Sequence, residues 1–223
     1  LTKTMEMHNS LIALSGGVDS TTLLYEYREE VACAVGFDYG SKHNARELTA
    51  AEAICRELEI PYLIIPLAFI GEYFRSDLLL SGGEMQLGDY SEENMSSTVV
   101  PFRNGIMLSV LAGLAESRDL QQVLIANHFG DHAIYPDCRE SFVKPMGEAI
   151  TAGTSNGVKL VAPYTTLTKA EIVARGTRLG VPYGKTYSCY QGGERHCGRC
   201  GTCRERHDAF VANGLEDPTL YEE

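Results

Sequence analysis

The residues best suited to chemistry fall into two clusters. The first is Ser15-Gly16-Gly17-Val18-Asp19-Ser20, framed by the apolar residues 11–14 and by Thr21-Thr22-Leu23-Leu24. Adjacent glycines let a backbone take positive φ and approach a bulky anion without a Cβ clash. A helix starting after such a loop adds unpaired N–H groups and the positive end of its macrodipole, both favourable to phosphate. The hydroxyls of Ser15, Ser20, Thr21 and Thr22 add donors at the same point. Asp19 is the odd member, because a bare carboxylate repels phosphate. It reads as the helix N-cap, or as a ligand of a Mg²⁺ that travels with the phosphates. A capped turn with no ligand is the plainer alternative, but these six residues between strand and helix favour a phosphate site.

The second cluster is Cys189, Cys197, Cys200 and Cys203, spaced C-x7-C-x2-C-x2-C. The C-x2-C spacing brings two thiolates to one ion from a tight turn, and four sulfurs in a short Gly-rich segment suit tetrahedral Zn²⁺. A [4Fe–4S] cluster and a redox dithiol remain alternatives. Four protein sulfurs close the coordination shell, so the expected role is structural. His196 could substitute for its neighbour Cys197, and Arg195, Arg199, Arg204 and Arg206 would offset the thiolate charge.

These clusters need a scaffold. Residues 31–37 form an unbroken apolar run, the pattern of a strand covered on both faces. A helix follows over 43–58, with Ala45, Leu48, Ala51, Ile54 and Leu58 on one face. Further strands are expected over 62–66, 122–127 and 158–163, and helices over 101–117 and 139–151. Thr168-Lys169-Ala170-Glu171 opens the last long helix with a capping box. Strands alternating with helices predict right-handed crossovers and a parallel sheet. The expected class is therefore α/β: a Rossmann-like parallel five-stranded sheet flanked by helices, with a small C-terminal zinc-binding segment. The division expected is a nucleotide-binding unit over 1–180 and the four-cysteine segment over 181–223. Residues 81–98, rich in Gly, Ser and acid, are expected to be a mobile loop or lid. Gly184-Lys185-Thr186 tempts a Walker A reading, but the glycine spacing is one short, Pro182 intrudes and no strand precedes it.

The 223 residues carry 19 basic and 30 acidic side chains, a net charge of −11. Nucleic-acid affinity comes from neutralising phosphates, so this balance argues for small-molecule substrates and no nucleic acid. No basic-plus-apolar leader is visible and no apolar run approaches the ~18 residues of a membrane span. Seven cysteines without a secretion signal point away from disulfides. A cytoplasmic protein with no membrane partner is expected.

The hexapeptide resembles the pyrophosphate-binding loop (PP-loop) of the adenine-nucleotide alpha hydrolase enzymes. That resemblance implies cleavage of ATP, with Mg²⁺, between its α and β phosphates and adenylation of a carbonyl oxygen. It implies an ATP site made of Leu14, Ser15, Gly16, Gly17, Val18, Asp19, Ser20, Thr21, Thr22, Leu23 and Leu24, with Phe37 and Lys169. Four further groups follow in order: Phe37-Asp38-Tyr39-Gly40 with His43 and Glu47, Pro101-Phe102-Arg103-Asn104, Tyr135-Pro136-Asp137-Cys138-Arg139 with Phe142, and the cysteine set. Together they resemble the 7-cyano-7-deazaguanine synthase family over residues 10–212. Phe102 stands where that pattern usually has a small residue, often Gly, and Asn127-His128-Phe129-Gly130 is not its commonest form.

The family resemblance implies a homodimer that carries Zn²⁺ on the four cysteines and acts on 7-carboxy-7-deazaguanine, ATP and ammonia. The carboxylate is adenylated, ammonia displaces AMP to give an amide, and a second ATP converts the amide to the nitrile. Catalytic roles fall to Asp19, Ser20, Arg103, Asp137 and Arg139. Arg103 can fork onto a carboxylate or phosphate, and Asn104 offers a mixed donor and acceptor edge. Asp137 suits the N–H groups of a guanine-like edge, and Asp131, His132, Tyr135 and Arg139 complete the expected acceptor site. Alternatives are an enzyme stopping at the amide or taking another deazapurine, a tRNA-thiolating PP-loop enzyme, and a zinc module with nucleotide as regulator.

Overall fold

The computed structural model describes residues 8–85 and 87–222. The chain runs β1 (Ser10–Ala13), α1 (Val18–Tyr27), β2 (Val31–Asp38), α2 (Asn44–Glu57), β3 (Tyr62–Pro66) and α3 (Ala68–Tyr73). It continues with α4 (Glu92–Met95), α5 (Arg103–Ser117), β4 (Gln122–Leu124), α6 (Glu140–Gly153) and β5 (Lys159–Val161). The last helices are α7 (Lys169–Leu179) and α8 (Gly201–Val211). The five strands form one sheet in the order β3-β2-β1-β4-β5, and every pair is parallel.

Strand periodicity explains the two-sided core. Leu11, Val35 and Val123 face a cluster that takes in Leu108 and Leu111 of α5 and Ile150 of α6. Their neighbours Ile12, Ala34 and Leu124 face Leu23, Leu24, Ile54 and Ile172 of α1, α2 and α7 on the other side. Successive strand residues point to opposite faces, so central strands with both faces covered are apolar throughout. The order reverses between β1 and β4, and such a switch point leaves a crevice at the C-terminal strand ends.

Local signals act as expected in α7. The Thr168 hydroxyl accepts the Glu171 N–H, the Glu171 carboxylate accepts the Thr168 N–H, and Gly180 ends the helix at φ 74°. The expected start of α5 at Pro101 moves to Arg103, because Phe102 adopts φ 53°, ψ 27°. That left-handed backbone is one that glycine tolerates best, which gives the small residue of the family pattern a physical reason. Phe102 is held there by an edge contact with Phe142, ring centroids 5.5 Å apart.

Within 81–98, the described residues are more structured than composition predicts. They include α4 and a 3₁₀ turn over Ser96–Thr98, and Met95 and Thr98 are buried. Gly88 N–H donates to the Arg199 carbonyl, Arg204 pairs with Asp89 at 2.5 Å, and Tyr90 Oη donates to Asp131 Oδ1 at 2.8 Å. These tethers come from residues far along the chain, so local composition could not reveal them.

The expectation of no span-length apolar run also needs correction. Ser96–Ser117 covers 22 residues with a best-window mean hydropathy of 1.4 and is long and apolar enough to cross a membrane by composition. Within it, Leu108, Leu111 and Ala115 of α5 are fully buried in the core on one face of the sheet. That is the setting of a core helix.

The C-terminal segment rests on a buried ion pair. Arg206 Nε meets Asp217 at 3.2 Å, with side chains 1% and 2% exposed. Arg206 also donates to Thr186 Oγ1 at 2.7 Å and the Tyr183 carbonyl at 2.9 Å. Burial pushes the Asp217 carboxyl up, but Arg206 and its hydrogen bonds from Tyr221 and Thr219 leave it below the usual range. Asp217→Ala strands a buried guanidinium and should cost roughly 3–5 kcal/mol. The melting temperature should then fall by about 10 °C, read by calorimetry, and an unchanged melt would contradict the account.

Candidate active site

A cavity of about 240 Å³ opens over the C-terminal ends of β1, β2 and β4. One wall is the loop from β1 to α1. Gly16 has φ 84°, and a Cβ there would stand 2.6 Å from the Glu47 carbonyl oxygen and 2.7 Å from Ala51 N. Only glycine lets α2 approach the loop this closely. Gly17 is the N-cap of α1 and no side chain caps it, so Asp19 is not the cap that local reasoning allows. Asp19 sits inside the first turn with its carboxylate on the cavity.

Asp19 anchors a charge network. Lys169 Nζ donates to Asp19 Oδ2 at 2.6 Å and lies 3.3 Å from Glu205 Oε2. His128 Nε2 is 3.8 Å from Asp19, 3.5 Å from Asp131 and 3.9 Å from Glu205. His128 Nδ1 accepts the Gly130 N–H, so Nε2 carries the ring proton towards these carboxylates. Burial pushes the Asp19 carboxyl up, but Lys169 and His128 outweigh it and hold it below the usual range. Burial alone would lower the Lys169 pKa, yet Asp19, Glu205 and Asp131 raise it, so the ammonium stays charged. Glu205 moves the other way: burial raises its pKa more than Lys169 lowers it. Asp19 Oδ1 is buried and has no hydrogen-bond partner among the described residues. An oxygen acceptor left open beside a phosphate-type loop fits a hard cation such as Mg²⁺.

Arg103, at the start of α5, lines another part of the cavity. Its Nη1 donates to Tyr39 Oη at 2.9 Å and its guanidinium lies 5.4 Å from the Tyr39 ring centre. Burial opposes its charge, but the surrounding tyrosines and Asp137 raise its pKa well above the ordinary value. Glu47 on α2 and His43, at the N-cap of that helix, face the same space. Burial pushes the Glu47 carboxyl up to about 8 and the His43 imidazole down to about 3.

The four cysteines form one buried cluster whose Sγ atoms all lie within 4.8 Å of one another. Backbone N–H groups of Cys197, Arg199 and Cys200 donate to sulfurs at 3.3–3.4 Å, the environment a thiolate needs. The residues fit a tetrahedral metal site. His196 is not a fifth candidate, because its Nε2 accepts the Ser188 N–H.

A family model described as queuosine biosynthesis protein QueC matches residues 9–214. The chain belongs to the QueC family. A 7-cyano-7-deazaguanine synthase of Porphyromonas gingivalis is 62% identical over 214 residues, spanning 96% of this chain and 97% of that one. One from Desulfotalea psychrophila is 50% identical over 217 residues, spanning 96% and 99%. Among solved structures, NMN synthetase from Francisella tularensis covers 94% of this chain and 78% of its own, with TM-score 0.49 and 14% identity.

In this QueC-family chain the cavity gathers Leu14, Ser15, Gly17, Val18, Asp19, Ser20, Phe37 and Lys169 with Arg103, Asn104, Asp131 and Tyr135. Other residues expected there stand elsewhere. Leu23 and Leu24 are core, Thr21 is fully buried, and the Thr22 hydroxyl bonds the Val18 carbonyl and Tyr183 Oη. Asp137 Oδ2 accepts the Asn104 N–H at 2.8 Å, which occupies it as a partner for the start of α5. Arg139 is exposed, and its Nε donates to the His132 carbonyl at 2.7 Å. His132 lies against Phe129, ring centroids 5.4 Å apart, away from the cavity lining. None of Asp137, Arg139 and His132 reaches the cavity.

Three contributors escape reading by local motif: His128, Glu205 and Tyr90. Glu205 and Thr202 sit among the cysteines, where the metal spacing dominates the sequence signal. Tyr90 lies in the segment expected to be loose. His128 directly follows the strand expected over 122–127 and lies in the loop after β4, a position where open α/β sheets place ligand contacts, and that was the available clue.

Proposed function

We propose that this chain is an ATP-dependent carbon–nitrogen ligase that converts 7-carboxy-7-deazaguanine and ammonia into 7-cyano-7-deazaguanine, the product named for its relatives. One observation carries the reading: the anion-binding loop, the unpartnered Asp19 oxygen and the Arg103 guanidinium open on a single cavity. A carboxylate is a poor electrophile until one oxygen becomes a leaving group. In the first round an acceptor oxygen attacks the α-phosphorus of ATP and pyrophosphate departs. Ammonia adds to the activated carbon, AMP leaves, and loss of a proton gives the amide. In the second round the amide oxygen attacks another ATP, again releasing pyrophosphate. Departure of AMP with both N–H protons leaves the nitrile.

The chain's part is mainly to position anions and steady their charge. Ser15, Gly17 and Ser20 hold phosphate oxygens at the start of α1. Asp19 Oδ1 would hold Mg²⁺, which supplies neutralisation of the triphosphate when bound. Lys169 keeps Asp19 ionised and adds a positive charge beside it. Arg103 forks onto the acceptor carboxylate before activation. Cys189, Cys197, Cys200 and Cys203 would hold a structural Zn²⁺. The acidic charge and the seven free thiols support a cytoplasmic protein without nucleic-acid partners. The family resemblance supports a homodimer.

The test is product analysis of the purified protein with ATP and Mg²⁺. AMP and pyrophosphate should appear only when 7-carboxy-7-deazaguanine and ammonium are both supplied, at two AMP per nitrile by mass spectrometry. One AMP per amide would end the path at the first round. AMP release indifferent to the deazaguanine would defeat the proposal.

A further inference from the structure

The position of Asp137 leaves a question of recognition. A guanine-like acceptor presents two parallel donors, its ring N1–H and its 2-amino group, and a carboxylate with two acceptor oxygens is their natural counterpart. Asp137 cannot serve, because its Oδ2 is engaged by the Asn104 N–H and it does not line the cavity. We infer that Glu47 is the carboxylate that reads this donor pair, with His43 as its positioning residue. The inference rests on the acceptor proposed above.

Glu47 meets the requirements of place and need. It lies on the first turn of α2, its side chain is 14% exposed, and it lines the same cavity as the phosphate loop and Arg103. The nearest basic side chain beside it among the described residues is His43, with Nε2 3.4 Å from Oε2. A carboxyl withdrawn from water with so little compensation is costly unless a ligand completes its hydrogen bonds. Burial holds it at about 8 without a ligand, against the pull of Arg103, and two N–H donors would restore the ionised form. The close approach of α2 to the loop at Gly16 fixes the Glu47 backbone beside the site where activation takes place.

His43 is built to aim this group. It is buried, stacks on Tyr190 with ring centroids 4.9 Å apart, and remains neutral. A neutral imidazole can donate Nε2–H to Glu47 and hold the carboxylate without adding a competing positive charge. The alternative ligand edge, adenine, pairs one donor with a ring-nitrogen acceptor, and a carboxylate would repel the latter. Glu47 therefore discriminates in favour of the acceptor over the nucleotide base.

The experiment is steady-state kinetics of full-length Glu47→Gln, with 7-carboxy-7-deazaguanine and with its analogue lacking the 2-amino group. Gln keeps the shape but turns one acceptor into a donor. The acceptor KM should rise about 10- to 100-fold while the ATP KM moves less than about twofold. Wild type should favour the 2-amino acceptor over the analogue by roughly tenfold or more, and the variant should lose that preference. A merely structural role would not change the preference. Should the Gln variant fail to fold, Glu47→Asp carries the same test, since a shortened carboxylate must weaken the acceptor and spare ATP. An unchanged acceptor KM, or a penalty that falls on ATP, overturns the role of Glu47. Failure of wild type to turn over the acceptor at all would instead strike the functional reading.

Discussion

Asp19→Asn is expected to lower kcat by about three orders of magnitude or more while leaving a folded protein. The carboxylate has two acceptor oxygens and a negative charge, whereas an amide keeps one acceptor oxygen and no charge. Its Oδ2 takes the Lys169 ammonium at 2.6 Å, and its Oδ1, buried and without a partner among the described residues, is the oxygen that would hold the Mg²⁺ proposed above. Removing a preorganised charge aimed at a transferring phosphoryl group typically costs 10²–10³ in rate, and loss of cation binding adds to it. The fold should survive, since Lys169 keeps Glu205 at 3.3 Å and Asn matches the shape of Asp. A stability loss of about 1–2 kcal/mol is expected, below that of a fully buried broken pair, because water still reaches Lys169. Rapid-quench measurement of AMP formation with a parallel thermal melt separates the two effects. Retained turnover would reduce the loop to a turn.

Asp19 also sets a direction in pH. Its folded pKa lies below the ordinary carboxylate value. Its contribution to stability is therefore present above that ordinary value and is lost as pH falls through the folded pKa. The wild-type melt should show this acid-side decline, and the Asn variant should show less of it.

The second large effect is expected from the cysteine cluster, through Cys200→Ser or chelation. Sequence reasoning makes this segment a structural metal site whose loss harms stability before catalysis. The structure ties the two together. Cys200 is the N-cap of α8, and α8 carries Thr202, Glu205 and Arg206 into the cavity lining. Tyr190 follows Cys189 directly and supports His43. The Arg199 carbonyl and the Arg204 guanidinium hold the 81–98 segment that brings Tyr90 over the site. Loss of the metal should cost several kcal/mol, lowering the melting temperature by roughly 10 °C or more. Activity should fall in step with metal content, measured by elemental analysis on the same samples. Full activity in metal-free protein would contradict the coupling.

Much of the molecule was legible in the chain because its signals are local. Apolar runs with both faces buried mark parallel strands, and the Thr168–Glu171 capping box marks α7. Two glycines followed by Asp19 and Ser20 mark an anion loop at a helix start. The C-x7-C-x2-C-x2-C spacing marks the four-cysteine cluster that fits a metal, since tight turns and sulfur chemistry together constrain it. Residues 81–98 misled because their order comes from Arg199, Arg204 and Asp131, and composition carries no record of distant partners.

The phosphate loop shows where the boundary runs. The sequence alone determined that residues 15–20 make a tight glycine loop ahead of a helix, and it left Asp19 as either a cap or a cation ligand. Tertiary structure removed the cap, which is Gly17, and brought Lys169, His128 and Glu205 from three distant segments to the Asp19 carboxylate, leaving its second oxygen without a partner among the described residues. It likewise turned Asp137 towards the start of α5, left Arg139 at the surface, and set Glu47 on the cavity. Which side chains of a motif face a ligand depends on how helices pack across the sheet switch point. That packing is a sum of contacts between residues far apart in the chain, and no short pattern encodes it.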